Sequence, residues 1–128
     1  MDLIEYQDFV EYTTSRESKG LSEFIDRIVT LNTNVPLLLT ASVGLASESG
    51  EFSEIVKKII FQGKELDGNV RYHMLRELGD ICWYLANAAN ALGADLQEII
   101  EMNIEKLRAR YPDGFEISRS ENRAKGDI

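Results

Sequence analysis

The stretch NVPLLLTASVGLASESGEFSEIVKKIIF, residues 34–61, decides the fold because it predicts one long helix. Asn34 can cap free backbone N–H groups and Pro36 fits a first turn, so the helix begins here. It continues to about Phe61, since the next turn residue is Gly63. Its apolar residues recur at helical spacing and form one stripe, which consists of Leu38, Ala41, Leu45, Phe52, Val56 and Ile59. Such a helix has to bury its stripe against a partner.

The rest of the chain also predicts helices, and no segment alternates polar and apolar residues cleanly enough for a strand. Asp2 caps a first helix that Gly20 interrupts, Asn69 and Asp95 cap two later helices, and Gly93 separates those two. The predicted helices span about residues 2–17, 21–31, 34–61, 69–92 and 95–111. We therefore predict an all-α fold, a helical bundle of four main helices with the first one broken or folded as a hairpin, and an irregular C-terminal tail.

Length and composition narrow the class of protein. With 128 residues the chain suits one domain, which we predict at residues 1–117, with a polar tail at 118–128. A formal net charge of −8 argues against nonspecific binding to nucleic acid, because that affinity comes from clustered Lys and Arg. The longest apolar run, near residues 35–41, is too short to span a bilayer, so no membrane is expected. The single Cys82 cannot form an internal disulfide, and we expect a buried thiol in the reducing cytoplasm.

Two pairs of acidic residues stand at i, i+3 spacing on neighbouring long helices: Glu48 with Glu51, and Glu77 with Asp80. Residues three apart share one side of a helix. On the second helix the predicted apolar stripe consists of Met74, Leu78, Ile81, Leu85 and Leu92, and its flank of Glu77, Asp80, Tyr84 and Asn87. If the two stripes pack together, four carboxylates converge and repel unless a cation pairs with them. Carboxylate oxygens suit Mg²⁺ or Mn²⁺, and four of them can hold more than one ion.

Each acid pair also has an explanation without catalysis. A single pair on an amphipathic helix is usually a solvated face, so a non-enzymatic helical interaction module with a solvated acidic groove is the alternative. A metal-storage di-iron bundle is a third possibility, but it requires an ExxH motif. The only histidine, His73, precedes Glu77 by four residues, so neither pair has that form. His73 fits a half-buried helix position as well as it fits a ligand or a phosphate contact.

Basic and polar residues follow one side of the last long helix. Asn103, Lys106 and Arg110 stand at i, i+3 and i+7, where they reach phosphate oxygens or a base edge, or else complement the helix dipole. Lys58 has the same ambiguity, because it can pair with Glu54 at i, i+4. Arg123 is most simply solvated, although the tail that carries it can also fold over a neighbouring subunit's site.

Three successive stretches, GLASESGEFSEIVKK, RELGDICWYLANAANALG and NIEKLRARYPDGF, resemble the MazG-like all-α nucleoside triphosphate pyrophosphohydrolases. The shared pattern is ExxE, a spacer and ExxD; here 25 residues separate Glu51 from Glu77. The resemblance covers about residues 37–116 and is closest to compact single-domain members, including phage versions. It implies hydrolysis of a nucleoside or deoxynucleoside triphosphate to the monophosphate and pyrophosphate, with water attacking the α-phosphate.

The resemblance also implies roles for single residues. Glu48, Glu51, Glu77 and Asp80 match the family's Mg²⁺ ligands, and the mechanism we expect uses two or three ions per site, with Mn²⁺ as a substitute. Glu48 or Glu51 is the candidate to orient or deprotonate the attacking water. The residues matching family substrate contacts are Lys106, Arg110, Tyr84 and Asn103. A bundle this small commonly pairs with a copy of itself, so we expect a homodimer or homotetramer, in the host cytoplasm if the protein is phage-encoded.

Overall fold

The computed structural model describes residues 2–127, and within them all regular structure is helical, which confirms the all-α prediction. The chain divides into two compact units, Met1–Val35 and Pro36–Ile128. The helices are α1 (Leu3–Thr13), α2 (Arg16–Lys19), α3 (Leu21–Ile28), α4 (Val35–Phe61), α5 (Gly68–Leu92), α6 (Leu96–Arg110) and α7 (Ile117–Glu121). The prediction of one domain at residues 1–117 stays a prediction.

The first unit carries the broken helix that the sequence indicates. Asp2 caps α1 through bonds from the backbone N–H groups of Ile4 and Glu5, and the Glu5 carboxylate accepts from the Asp2 N–H at 2.7 Å. The first helix ends earlier than predicted because Ser15 caps the separate helix α2. Gly20 then divides α2 from α3, as its position predicts.

The second unit is built on α4 and α5, the two longest helices. The bounds of α4 confirm the helix predicted from residues 34–61. The N-cap of α5 is Asp67, which accepts from the Val70 N–H at 2.8 Å, so the prediction of Asn69 as the cap is wrong. Asp67 has the same capping chemistry and lies closer to the loop. At the other end Gly93 adopts a φ of 68°, the left-handed conformation expected after a helix.

The packed faces of the two helices agree only in part with the predicted stripes. On α4, Ala41 and Ile55 are buried and the predicted stripe is shielded. On α5 most of the shielded residues follow a different line, which consists of Val70, Met74, Glu77, Ile81, Tyr84, Ala88 and Ala91, while the buried Ala89 lies off this line. Leu78, Leu85 and Leu92 are exposed, so placing them in the buried stripe is wrong. Helix α5 thus has two apolar lines, and the line that contains Glu77 and Tyr84 faces inward.

Helix α6 begins where Asp95 accepts a bond from the Glu98 N–H at 2.8 Å, as predicted. Its apolar residues at helical spacing, Leu96, Ile100, Ile104 and Leu107, are exposed. Short helix α7 lies inside the segment predicted as an irregular tail. Cys82 is exposed, so the expected burial of its thiol is wrong, because Cys82 lies on the outward line of α5. Among the described helices none is long and apolar enough to cross a membrane.

Candidate active site

Three of the four predicted acids come together in the second unit. Carboxylate oxygens of Glu48, Glu77 and Asp80 all lie within 4.8 Å of one another. Glu48 and Glu77 are half-buried, whereas Asp80 is exposed. Glu51 is exposed one turn further along α4 and does not belong to this group, although its charge acts on Glu48. These three residues, from here on the acidic trio, are the structural core of the candidate site.

Heptad spacing explains why two of these acids are shielded. Glu48 lies midway between the buried Ala41 and Ile55, seven residues from each, and so shares their side of α4. In the same way Glu77 follows Val70 by seven residues on the inward line of α5. Two turns of helix take close to seven residues, so both carboxylates occupy places that apolar residues would otherwise fill. The packed faces of α4 and α5 therefore keep both carboxylates partly shielded from solvent.

The electrostatics of the acidic trio favour a bound positive charge. The pKa of Glu48 is raised above 4.5, first by partial burial and next by a hydrogen bond with Glu77, with the charges of Asp80, Glu77 and Glu51 adding to the effect. Without a cation, the repulsion is relieved when Glu48 holds a proton and shares it with Glu77. A divalent cation can replace that proton and pair with all three carboxylates.

His73 positions one member of the acidic trio. Its Nε2 donates to Oε1 of Glu77 at 2.8 Å, and the Glu77 side chain is only 12% exposed. The two residues stand at i, i+4 on α5, so the contact follows from helix geometry. Because His73 contacts one Glu77 oxygen, it can fix the orientation of the carboxylate while the other oxygen remains available. The sequence had left the role of His73 open between packing and ligand contact.

A glycine lets the two long helices approach each other beside the trio. Gly44 on α4 is buried, and a Cβ atom built there would overlap the ring of Tyr84 at Cε1, Cδ1 and Cζ. Tyr84 lies one turn beyond Asp80, and its ring also meets Trp83 edge-on with centroids 4.9 Å apart. Trp83 itself is 59% exposed. Sequence reasoning missed Gly44, although a glycine inside a helix is a signal of close backbone approach.

The predicted basic contacts fall into separate groups. Lys106 and Arg110 line a cavity of about 450 Å³, and none of the four acids is part of its lining. Arg110 pairs with Asp127, with 2.7 Å between its Nε and Oδ2, and its Nη2 contacts Oδ1. Asn103 is exposed on α6 and is not part of that lining. Lys58 lies 3.6 Å from Glu54, which is the ion pair that its spacing allows.

Arg123 lies close enough to the cavity to act on it. It is exposed and is not part of the cavity lining. Together with Arg110 and Lys106, its charge contributes to lowering the pKa of Asp127, although the Arg110 hydrogen bond is the largest cause. The structure therefore brings together two sets of candidate residues, an acidic set between α4 and α5 and a basic set beside the end of α6.

These features define an all-α protein that brings carboxylates together between two long helices and places basic residues on the helix that follows. Residues 38–115 match the sequence profile of the MazG nucleotide pyrophosphohydrolase domain. The chain therefore belongs to the MazG family, and the resemblance seen in the sequence is confirmed.

Two further comparisons bear on that membership. The chain is 35% identical over 86 residues to the Gene 37 protein of Mycobacterium phage L5, and the match covers 64% of this chain and 73% of that protein. No solved structure matches the chain. The phage relative agrees with the compact form that the sequence indicates.

Proposed function

We propose that the protein hydrolyses nucleoside or deoxynucleoside triphosphates to the monophosphate and pyrophosphate with the help of a divalent cation. The observation that carries this proposal is the convergence of Glu48, Glu77 and Asp80 within 4.8 Å from two helices. Membership in a family of nucleotide pyrophosphohydrolases supports the reaction class. The proposed role in the cell is control of the nucleotide pool in the cytoplasm, that of the host if the chain is phage-encoded.

The donor set of the acidic trio fits a hard cation. All three ligands are carboxylates, and no sulfur or imidazole donor belongs to the group. We propose Mg²⁺, with Mn²⁺ as a substitute, bound by Glu48, Glu77 and Asp80 with Glu51 completing the set for two or three ions. Such ions activate water at neutral pH and offset charge on the phosphates.

The acids have distinct parts in the proposed mechanism. Glu77 is held by His73, which makes it the most rigid of the ligands. Glu51 is exposed and outside the acidic trio, and besides its proposed place in the ligand set it is a candidate to orient or deprotonate the attacking water. Glu48 is the other candidate base once a cation has displaced its proton. The α-phosphate is the proposed point of attack, and pyrophosphate is the leaving group.

The basic set is the proposed contact for the triphosphate. Lys106 and Arg110 suit phosphate oxygens, because Lys offers a point charge and Arg a forked pair of donors. Tyr84, one turn from Asp80, is the proposed neighbour of the nucleoside, and Asn103, Lys58 and Arg123 remain proposed substrate contacts. The proposed partner is a small nucleotide and not a nucleic acid or a membrane; the net charge of −8 argues against nonspecific nucleic-acid binding, because that affinity comes from clustered Lys and Arg.

We also propose a homodimer or homotetramer. The exposed apolar residues of the second unit include Leu78, Trp83, Leu85, Leu92 and Ile100. Exposed apolar patches of this kind mark association surfaces, and a second copy would cover them. Sedimentation should show a dimer or a tetramer, and Leu85→Glu should shift the population toward the monomer. A monomer for the unaltered chain would contradict the proposal.

The reaction is tested with a panel of ribo- and deoxynucleoside triphosphates in Mg²⁺ or Mn²⁺, with the products separated. Monophosphate plus pyrophosphate supports the proposal, whereas diphosphate plus phosphate places the attack on a different phosphorus and overturns it. Glu51→Gln should lose turnover, with Glu65→Gln in the exposed loop after α4 as the matched control. If nothing is hydrolysed and no cation stabilises the fold, the helical interaction module with a solvated acidic groove replaces the enzyme.

A further inference from the structure

The charged residues that line the cavity beside the end of α6 are mostly positive. Its charged residues are Lys106, Arg110, Arg119, Lys125 and Asp127, so one carboxylate stands among four cations. Its volume of about 450 Å³ falls within the usual range for small-molecule sites. Arg119 also pairs with Glu116 at 3.1 Å, whereas Lys106 and Lys125 make no ion pair within residues 2–127. Such a cavity attracts an anion larger than a single carboxylate.

Asp127 meets Arg110 in the way that a phosphate would. Both Asp127 oxygens face the guanidinium, one against Nε and the other against Nη2. The side chains are only 11% and 16% exposed, so the pair is largely shielded from water. The hydrogen bond lowers the pKa of Asp127 and raises the pKa of Arg110, which keeps both groups charged at neutral pH. Forked bonds of this kind are how Arg holds carboxylate and phosphate alike.

A local turn presents Asp127 to Arg110. The Asp127 N–H donates to the Ala124 carbonyl at 3.0 Å, which closes a four-residue turn. Gly126, the third residue of the turn, has a φ of 92°, a conformation that L side chains rarely adopt. Helix α7 also contacts the end of α6: a hydrogen bond between Ser120 of α7 and Tyr111, the residue after α6, is the largest cause of the lowered pKa of Tyr111. The chain from α7 to Asp127 thus lies against the end of α6.

We propose that Asp127 is an internal competitor for a phosphorylated anion, holding the Arg110 guanidinium in the free protein until the anion displaces it. The proposal rests on the proposed function, in which Lys106 and Arg110 contact substrate phosphates. The four cations are then a phosphate subsite closed by the chain's own carboxylate. The opposing explanation is a permanent brace, in which Asp127 orients Arg110 and remains bound when the anion arrives.

Calorimetric titration with sodium pyrophosphate in excess chelator separates the two explanations. Chelation removes the acidic trio's cations, so the titration reads the basic cavity alone. Asp127→Asn should bind pyrophosphate about tenfold more tightly than the unaltered chain, since it lacks the charged competitor. Asp113→Asn, which removes the same charge from the exposed turn after α6, should bind like the unaltered chain. Equal or weaker binding by Asp127→Asn overturns the proposal, as does the absence of pyrophosphate binding in every variant.

Gly126→Ala provides a second test that keeps every charge. A Cβ at position 126 meets no protein atom within 4 Å but has an unfavourable φ, so the substitution strains the turn that presents Asp127. It should tighten pyrophosphate binding about threefold, and it decides the matter if Asp127→Asn fails to fold. Because the titration needs no turnover, a wrong product in the nucleotide panel would refute the proposed reaction and leave this result readable. Unchanged binding by Gly126→Ala in a folded protein counts against the competitor.

Discussion

Glu48 and Glu77 belong to different helices, yet carboxylate oxygens of the two residues lie within 4.8 Å of each other where α4 and α5 meet. Each stands seven residues from a buried apolar residue of its own helix, so neither can turn away to solvent without disturbing the packed face. Asp80, on the exposed side, adds a third carboxylate. The repulsion among these three carboxylates therefore follows from the packing of α4 and α5, and it has measurable consequences.

Mg²⁺ should stabilise the protein against thermal unfolding. Binding to the folded state alone contributes about 2.7 kcal/mol at a cation concentration 100 times Kd. In Glu77→Gln we expect most of the stabilisation by Mg²⁺ to disappear and turnover to fall roughly 100-fold or more, because the proposed ligand that His73 orients is lost. Differential scanning calorimetry with and without Mg²⁺ measures the first effect. Glu65→Gln should behave like the unaltered chain, and a full Mg²⁺ shift in Glu77→Gln would contradict the assignment.

The raised pKa of Glu48 gives a pH dependence of known sign. The folded state binds this proton more tightly than the unfolded state, so the contribution of Glu48 to stability is greatest below about pH 4.5 and is lost as pH rises through the raised pKa. In chelator, Glu48→Gln should therefore be more stable than the unaltered chain at neutral pH.

The difference in stability between Glu48→Gln and the unaltered chain isolates the effect of Glu48 from that of carboxylates whose contribution changes with pH in the opposite direction. Asp127 and Glu54 have lowered pKa values and lose their contribution as pH falls, but they are common to both chains. Thermal unfolding from pH 5 to 8 should show the advantage of Glu48→Gln growing with pH, and a constant difference would refute the coupling. Excess Mg²⁺ should reverse the order at neutral pH.

Gly44→Ala should destabilise the protein by about 1–3 kcal/mol, because the added methyl group overlaps the Tyr84 ring. Gly50→Ala is the matched control on the same helix: nothing lies near its Cβ, and we expect a gain of about 0.5–1 kcal/mol from lower backbone entropy of the unfolded chain. Urea unfolding measures both. Combining Gly44→Ala with Tyr84→Ala should recover part of the loss, and strictly additive effects would show that the two residues do not meet.

His73→Ala should weaken Mn²⁺ binding by about tenfold while the protein stays folded. The imidazole is 55% exposed, so its removal leaves no cavity, but the Glu77 carboxylate loses the bond that orients it. Partners of metal ligands commonly contribute factors of about 10–100 in affinity. Titration of Mn²⁺ by electron paramagnetic resonance measures the change. Arg76→Ala on the same helix should have little effect, and equal losses in both variants would point to surface charge instead.

The sequence was sufficient for the long helices and for placing the acids of each pair on one side of their helix, because both depend on local spacing. It was not sufficient to predict which side of α5 faces inward. Leu78 and Leu85 form an apolar line as regular as the inward one, and only packing decides between the two lines. The Arg110 and Asp127 pair spans 17 residues and follows no local pattern. Roles for Glu51, Asn103 and the other predicted contacts stay predictions.

The contact of Gly44 with Tyr84 limits how closely α4 and α5, the two helices that carry the acidic trio, approach each other. Mg²⁺ takes oxygen ligands at about 2.0–2.1 Å and Ca²⁺ at about 2.3–2.6 Å, so a few tenths of an ångström in helix separation decide which ion fits the carboxylates without strain. For the proposed cation site, we therefore expect side-chain volume at positions 44 and 84, neither of which supplies a carboxylate, to influence ion selectivity. An engineer who wished to retune the site for a larger ion would begin with this pair and leave the acids unchanged.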